Sequence, residues 1–378
     1  MTISRRDFLK LVGGTAGLMA LKPFSRVMPA TQFPDSPQLG RLTASLDLIS
    51  APRVDYPSLK KLYPDTVVPW VREVVAQTKD MNTYNQRWVE TPDGFIPSAY
   101  VQPVQNRPNV PLQAIPAGST GFWAEVTVPY VDFVLENPEP TSPFLKYLIS
   151  RGDPTRWYYS QVLRVDQIKV SEVTGNIIYR VVHPVYVENK FIGIENDIMW
   201  ADGSAFRPLS PEDLAPISPK VDPAKKRIVA DLAYVNGGVQ TLSCFEDDRE
   251  VYYCRMSSGA KRDAQGNVVD TWSTPVGKGH QTWRKSISIH MQGGTVDAGF
   301  DTMGVPWCTF FVGSGVAIHS TFWHNNFGTP RSHGCLNVLP EDAKWIFRWT
   351  TPEASIDPYD VTILGPGGTL VDVVERTF

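Results

Sequence analysis

The stretch IHSTFWHNNFGTPRSHGCLNV, residues 318–338, gathers three of the six histidines and one of the four cysteines of a 378-residue chain. Three chemistries fit that gathering. His319, His324, His333 and Cys335 are four nitrogen and sulfur donors of the kind that hold a zinc-like ion. Four residues separate His319 from His324, whereas a shared helical face needs an i, i+4 pair, so such a cage has to close through a loop. Alternatively, Cys335 is a nucleophile. A thiol reacts near neutrality through a depressed pKa or an adjacent base, and imidazole is the side chain tuned to that range. Gly334 lets the backbone approach a substrate carbonyl closely, and a loop entering a helix presents N–H groups to an oxyanion. The third reading is a buried structural cysteine among surface histidines, which fits one His and one Cys better than three and one.

The sequence around the cluster reads as a β-rich domain. KRIVADLAYVNGGVQTLSCFEDDREVYYCRMSSG, residues 226–259, gives three strands, the last two joined at a charged turn around Asp247 and Asp248. Cys244 and Cys254 flank that turn and meet across it in one of its registers. SISIHM, WCTFFVG and GVAIHS continue the pattern, and Cys308 in the apolar PWCTFF run reads as a buried core thiol. One helix follows the cluster, LPEDAKWIFRWT at 339–350, where Pro340 and the acidic pair mark a helix start. DVTILG is read as the closing strand. His280 and His290 fall on the preceding strand and turn.

Upstream, residues 40–104 are short runs of Val, Leu, Tyr and Trp broken by Pro, Asp and Gly, the signature of a small β-barrel. LDLISAP and the closing GFIPSAYVQPV resemble a bacterial SH3-type module, which implies wall-peptide binding or a spacer. Residues 105–218 contain a helix at SPFLKYLISRG and then strands, with His183 as a turn or packing residue. DIMWADGSAFRPLSPEDLAPIS repeats the rhythm of GFIPSAYVQPV, so a second module of similar kind is expected. SPKVDPAKK, residues 218–226, is the linker to the last domain. The fold class expected is mainly β: SH3-like modules, then a β-rich domain with one short helix after the His/Cys loop.

Composition narrows the function. A net charge of −3 from 36 basic and 39 acidic residues, interspersed, provides no basic face to track nucleic acid. Four cysteines without a C-x-x-C pair make neither a disulfide framework nor a zinc ribbon. At the N-terminus SRRDFLK precedes the apolar run Leu11–Leu21, which is too short for the roughly 20 residues that span a bilayer. It resembles a twin-arginine export signal over residues 1–30, with export to the cell envelope as the expectation and its cleavage left open.

AIHS and SHGCLN together resemble the signature of the L,D-transpeptidase (YkuD-type) catalytic domain, and STPVGKG at 273–279 resembles its upstream T-P-x-G segment. The resemblance spans residues 227–365 and implies a two-step cysteine mechanism on peptidoglycan stem peptides, with no cofactor or metal. Cys335 matches the nucleophile and His319 the proton donor and acceptor, its tautomer fixed by the Ser320 carbonyl. His333 and the Gly334 and Cys335 amides fall on the oxyanion side, and Asn337 braces the loop. Ser332, Trp323, His324 and Arg331 are candidates for substrate contact. A carbapenem is expected to acylate Cys335. Hydrolysis of the same bond, or a non-enzymatic wall-binding or metal-binding protein, are the alternatives.

Overall fold

The computed structural model describes residues 33–80, 83, 85–137, 139–182, 184–187, 190–194, 197–233, 239–262, 267–293 and 300–376. The twin-arginine segment and His183 lie outside them.

The first short runs fold as β1 (Leu39–Leu42), β2 (Leu46–Ile49), β3 (Ser58–Leu62), β4 (Val67–Pro69), β5 (Arg72–Val75), β6 (Arg87–Thr91), β7 (Gly94–Pro97) and β8 (Val101–Val104). They form one sheet in the order β4-β1-β8 and another in the order β3-β2-β7-β6-β5. Leu42, Leu48, Leu62, Val89, Ile96 and Val101 make the core of this module.

The second module comprises β9 (Phe122–Val126), β10 (Tyr130–Leu135), helix α1 (Pro143–Arg151), β11 (Arg156–Tyr158), β12 (Val162–Val170), β13 (Ile177–Val182), β14 (Pro184–Val187), β15 (Lys190–Ile194), β16 (Met199–Asp202) and β17 (Phe206–Pro208). Helix α1 has both of its stops written locally. The Ser142 hydroxyl accepts from the Leu145 N–H at 3.2 Å, and Gly152 ends the helix at φ 70°. The rhythm shared with the first module is real as a local unit: β7 and β8 flank a 3₁₀ turn at Ser98–Tyr100, and β16 and β17 flank one at Gly203–Ala205. The sheets differ. Seven strands of the second module join in the order β11-β10-β16-β13-β12-β9-β17, and β14 and β15 pair separately. A one-turn helix, α2 (Pro211–Leu214), follows; four residues are too few to carry a helical period in sequence.

The last domain contains β18 (Lys226–Asp231), β19 (Thr241–Glu246), β20 (Arg249–Arg255), β21 (Gly277–Gln281), β22 (Arg284–Gly293), β23 (Phe300–Val312), β24 (Val316–Ser320), β25 (Leu336–Val338), α3 (Pro340–Trp349), β26 (Asp360–Thr362) and β27 (Leu370–Val374). Two five-stranded sheets, β20-β19-β18-β27-β21 and β25-β24-β23-β22-β26, share a core that includes Ile228, Leu242, Met256, Ile318, Leu336, Ile346, Phe347 and Val371. DVTILG supplies only the edge strand β26. The domain is completed by β27, which lies beyond the expected boundary at 365 and pairs in parallel with β18. Cys244 and Cys254 are not partners: Cys244 stands opposite Tyr252 and Cys254 opposite Leu242, and both thiols are free and buried.

Helix α3 is held at both ends. Pro340 begins it, with Glu341 and Asp342 in the first turn. Two buried lysines meet its last carbonyls, Lys226 Nζ donating to Trp349 O at 2.9 Å and Lys285 Nζ to Thr350 O at 3.0 Å. Burial pushes Lys285 down to about 7. The second module packs directly on β23. Gly304 has φ 72°, and a Cβ there would stand 2.6 Å from Leu163 Cδ2, so both conformation and the close approach call for glycine.

Candidate active site

Strand alternation and one parallel pairing assemble the cluster. Ile318 stands beside Leu336, His319 beside Asn337 and Ser320 beside Val338 in the β24–β25 ladder. Ile318, Leu336 and Val338 face the core under α3. With a side-chain period of two, Ala317, His319, Cys335 and Asn337 therefore share the opposite face. The Cys335 sulfur accepts from the Ala317 N–H at 3.5 Å and packs beside Val305, Cys308, Phe310 and Ala317.

His319 is buried, and its Nδ1 lies 2.8 Å from the Ser320 carbonyl. A carbonyl only accepts, so Nδ1 carries the hydrogen and Nε2 is the basic nitrogen. Burial pulls this imidazole down to about 4, against the smaller upward effect of the Ser320 carbonyl. Burial also pushes the Cys335 thiol above its ordinary range, opposed by the Ala317 N–H. At neutral pH the two groups are thiol and imidazole rather than thiolate and imidazolium.

The turn before Cys335 depends on glycine through its conformation. Gly334 has φ 126°, a region that side chains other than glycine rarely adopt. Its N–H donates to Ser332 Oγ at 3.1 Å, and that hydroxyl donates to the Cys335 carbonyl at 2.5 Å. The Gly334 carbonyl accepts from Thr274 Oγ1 at 2.8 Å, and the same hydroxyl accepts from the Gly259 N–H at 2.8 Å. Residues 257–260 close the turn from the other side through paired backbone bonds between Ser257 and Asn337.

The family model of the L,D-transpeptidase catalytic domain (YkuD) matches residues 226–373. The segment is an L,D-transpeptidase catalytic domain. The match extends through β27, past the expected boundary. A comparison with curated proteins finds no match. Among solved structures, a mutant L,D-transpeptidase of Enterococcus faecium is similar at 20% identity and TM-score 0.29, over 40% of this chain and 50% of that one. The chain thus spans about half that relative's length. An L,D-transpeptidase from Mycobacterium smegmatis is similar at 18% identity and TM-score 0.29, over 56% of this chain and 99% of that one. One from Mycobacterium tuberculosis is similar at 16% identity and TM-score 0.27, over 71% and 95%.

Within this L,D-transpeptidase domain several candidates for substrate contact are already engaged. Ser332 is buried, and its hydroxyl serves the turn. His324 uses both ring nitrogens, Nδ1 accepting from the Asn326 N–H and Nε2 lying 3.2 Å from Asn337 Nδ2. With the Asn326 amide turned to satisfy its neighbours, its oxygen accepts from Arg331 Nε at 3.0 Å. The Gly334 N–H donates to Ser332 Oγ, so this one of the two amides expected on the oxyanion side is engaged within the turn. His333 is exposed, its ring 4.3 Å from that of Trp272. Trp323 is 38% exposed with its ring 6.0 Å from His319. Among the described residues no group of three or more His, Cys, Asp and Glu is placed to hold a metal ion.

The structure adds residues that the sequence reading missed. Thr274 sits in the STPVGKG segment, so that motif carried the signal, though not the role of tying the Gly334 carbonyl. Trp272 lies two residues earlier. Arg41, Ser98 and Ala99 reach the loop after His319 from the first module, and nothing in their own sequence announces it.

Proposed function

We propose that this chain is an exported peptidoglycan L,D-transpeptidase that uses Cys335 as nucleophile and His319 as base. The observation that carries this reading is the parallel register of β24 and β25, which brings the His319 imidazole and the Cys335 thiol to one face inside an L,D-transpeptidase domain. Cys335 transfers its proton to His319 Nε2 as sulfur attacks the carbonyl between stem residues three and four. The resulting oxyanion meets the Cys335 N–H. Collapse breaks the C–N bond, the proton passes from His319 to the leaving D-alanine amine, and a thioester remains. An acceptor amine attacks that thioester and gives its proton to His319, which returns it to sulfur as the 3→3 cross-link forms. Water in place of the amine gives carboxypeptidase action through the same intermediate.

Because thiol and imidazole are both neutral at rest, proton transfer accompanies attack instead of preceding it. The twin-arginine segment supports delivery to the outer face of the cytoplasmic membrane, where the wall substrate lies.

The test is intact-protein mass spectrometry of wild type and Cys335→Ala with a carbapenem. The strained lactam C–N bond opens as the S–C bond forms, so wild type is expected to gain the mass of one whole carbapenem. An adduct that persists in Cys335→Ala refutes the assignment.

A further inference from the structure

The loop that leaves β24 after Ser320 is fastened outside its own domain. The Phe322 carbonyl accepts from Arg41 Nη2 at 2.5 Å. Arg41, only 4% exposed, donates from Nε and Nη2 to Gln102 Oε1 at 3.0 and 2.8 Å, and from Nη1 to Asp65 at 2.7 Å. Its guanidinium lies over the Tyr158 ring at 4.1 Å, and that ring stacks on Phe322 at 5.5 Å. Three residues further along, the Asn325 N–H donates to Ala99 O at 3.0 Å and Asn325 Nδ2 to Ser98 O at 3.1 Å.

Only Trp323 and His324 lie between these two anchors. Trp323 borders the His319 ring, and His324 holds Asn337, the ladder neighbour of His319. We propose that Arg41, with the Ser98–Ala99 turn, is a positioning residue for the catalytic loop: the first module fixes Phe322 and Asn325 and thereby sets Trp323, Asn337 and the His319 imidazole against Cys335. The inference rests on the transpeptidase reading. A buried charge that served packing alone would be replaced by an apolar side chain at no loss. Arg41 instead uses its fork to reach acceptors on three separate segments, at Asp65, Gln102 and Phe322, a geometry that one lysine ammonium does not reproduce.

The experiment measures carbapenem acylation of the full chain, separating the limiting rate constant from the half-saturating concentration, for wild type, Arg41→Lys and Asn325→Ala. Arg41→Lys keeps the charge beside Asp65, and Asn325→Ala removes one side-chain bond, to Ser98 O. Each is expected to lower the limiting rate about tenfold, within the range that a sub-ångström misplacement of catalytic groups produces, while the half-saturating concentration changes less than about twofold and circular dichroism stays that of wild type. If Arg41→Lys fails to fold, Asn325→Ala carries the test. Limiting rates equal to wild type, or a loss confined to half-saturation, overturn the inference alone. Absence of acylation in wild type overturns the transpeptidase reading and the inference with it.

Discussion

At the residue scale the site is a pair of neutral groups, and pH reports on each separately. Burial holds His319 near 4, so its capacity to accept a proton is intact at neutral pH and is lost as pH falls through about 4. The acylation rate is therefore expected to stay level from pH 7 to pH 5 and to decline below; an acidic limb at the ordinary imidazole position, about 6.5, contradicts this. Alkylation by iodoacetamide needs thiolate, which burial disfavours, so its rate should rise only above the ordinary thiol range of about 8.5. His319→Ala should cost about 10²–10⁴-fold in acylation. His324→Ala should lose stability by roughly 1–3 kcal/mol, because it strips partners from the Asn326 N–H and the Asn337 side-chain amide, and its cost in acylation should stay near the roughly tenfold of a displaced loop. Equal kinetic losses for the two variants contradict this division.

At the element scale α3 contains a titratable fault in its first turn. Asp342 is buried against the Tyr252 hydroxyl, which donates to its Oδ1 at 2.6 Å, and burial raises the carboxyl to about 6. A carboxyl raised above its unfolded value binds more protons folded than unfolded, so its contribution is full below about 4 and fades as pH climbs through about 6. Asp342→Asn keeps an acceptor for the tyrosine and should gain stability over wild type on moving from pH 4.5 to 7.5, on the order of 2 kcal/mol, measured by urea unfolding at both pH values. A gain that is the same at both sinks the argument. Elements with local punctuation were legible in sequence. Ser142 with Gly152 bounded α1, and Pro340 with the acidic pair opened α3. β27 was missed because it follows the glycine-rich turn at 365–368 and pairs with a strand more than a hundred residues earlier. The Cys244–Cys254 geometry turned on a bulge at Cys244/Phe245 that no residue pattern declares. The motif named His319 and Cys335, but the parallel ladder that turns them to one face is a tertiary fact.

At the scale of the whole molecule one carboxylate joins three parts of the chain. Asp65 takes Arg41 on one oxygen and Arg156 on the other, at 2.7 and 2.9 Å, and Arg156 also meets Asp132. Asp65→Asn keeps the left-handed backbone that asparagine tolerates at φ 64° but removes the counter-ion of a buried guanidinium. A loss of roughly 3–5 kcal/mol in unfolding free energy is expected, whereas Asp55→Asn, which opens the exposed pair with Arg53, should leave stability unchanged. Equal outcomes in thermal unfolding contradict the distinction. This junction was illegible because Arg41 and Phe322 are 281 residues apart, and a lone arginine in a short strand carries no sign of its distant acceptor. The same separation has a consequence in time. During synthesis at roughly 5–20 residues per second, Arg41 emerges some tens of seconds before the carbonyl it will bind, and β27, an interior strand of its sheet, comes later still. A nascent chain thus carries the Arg41 donor long before its Phe322 acceptor exists, and the sheet that β27 completes can close only after nearly the whole chain has been made.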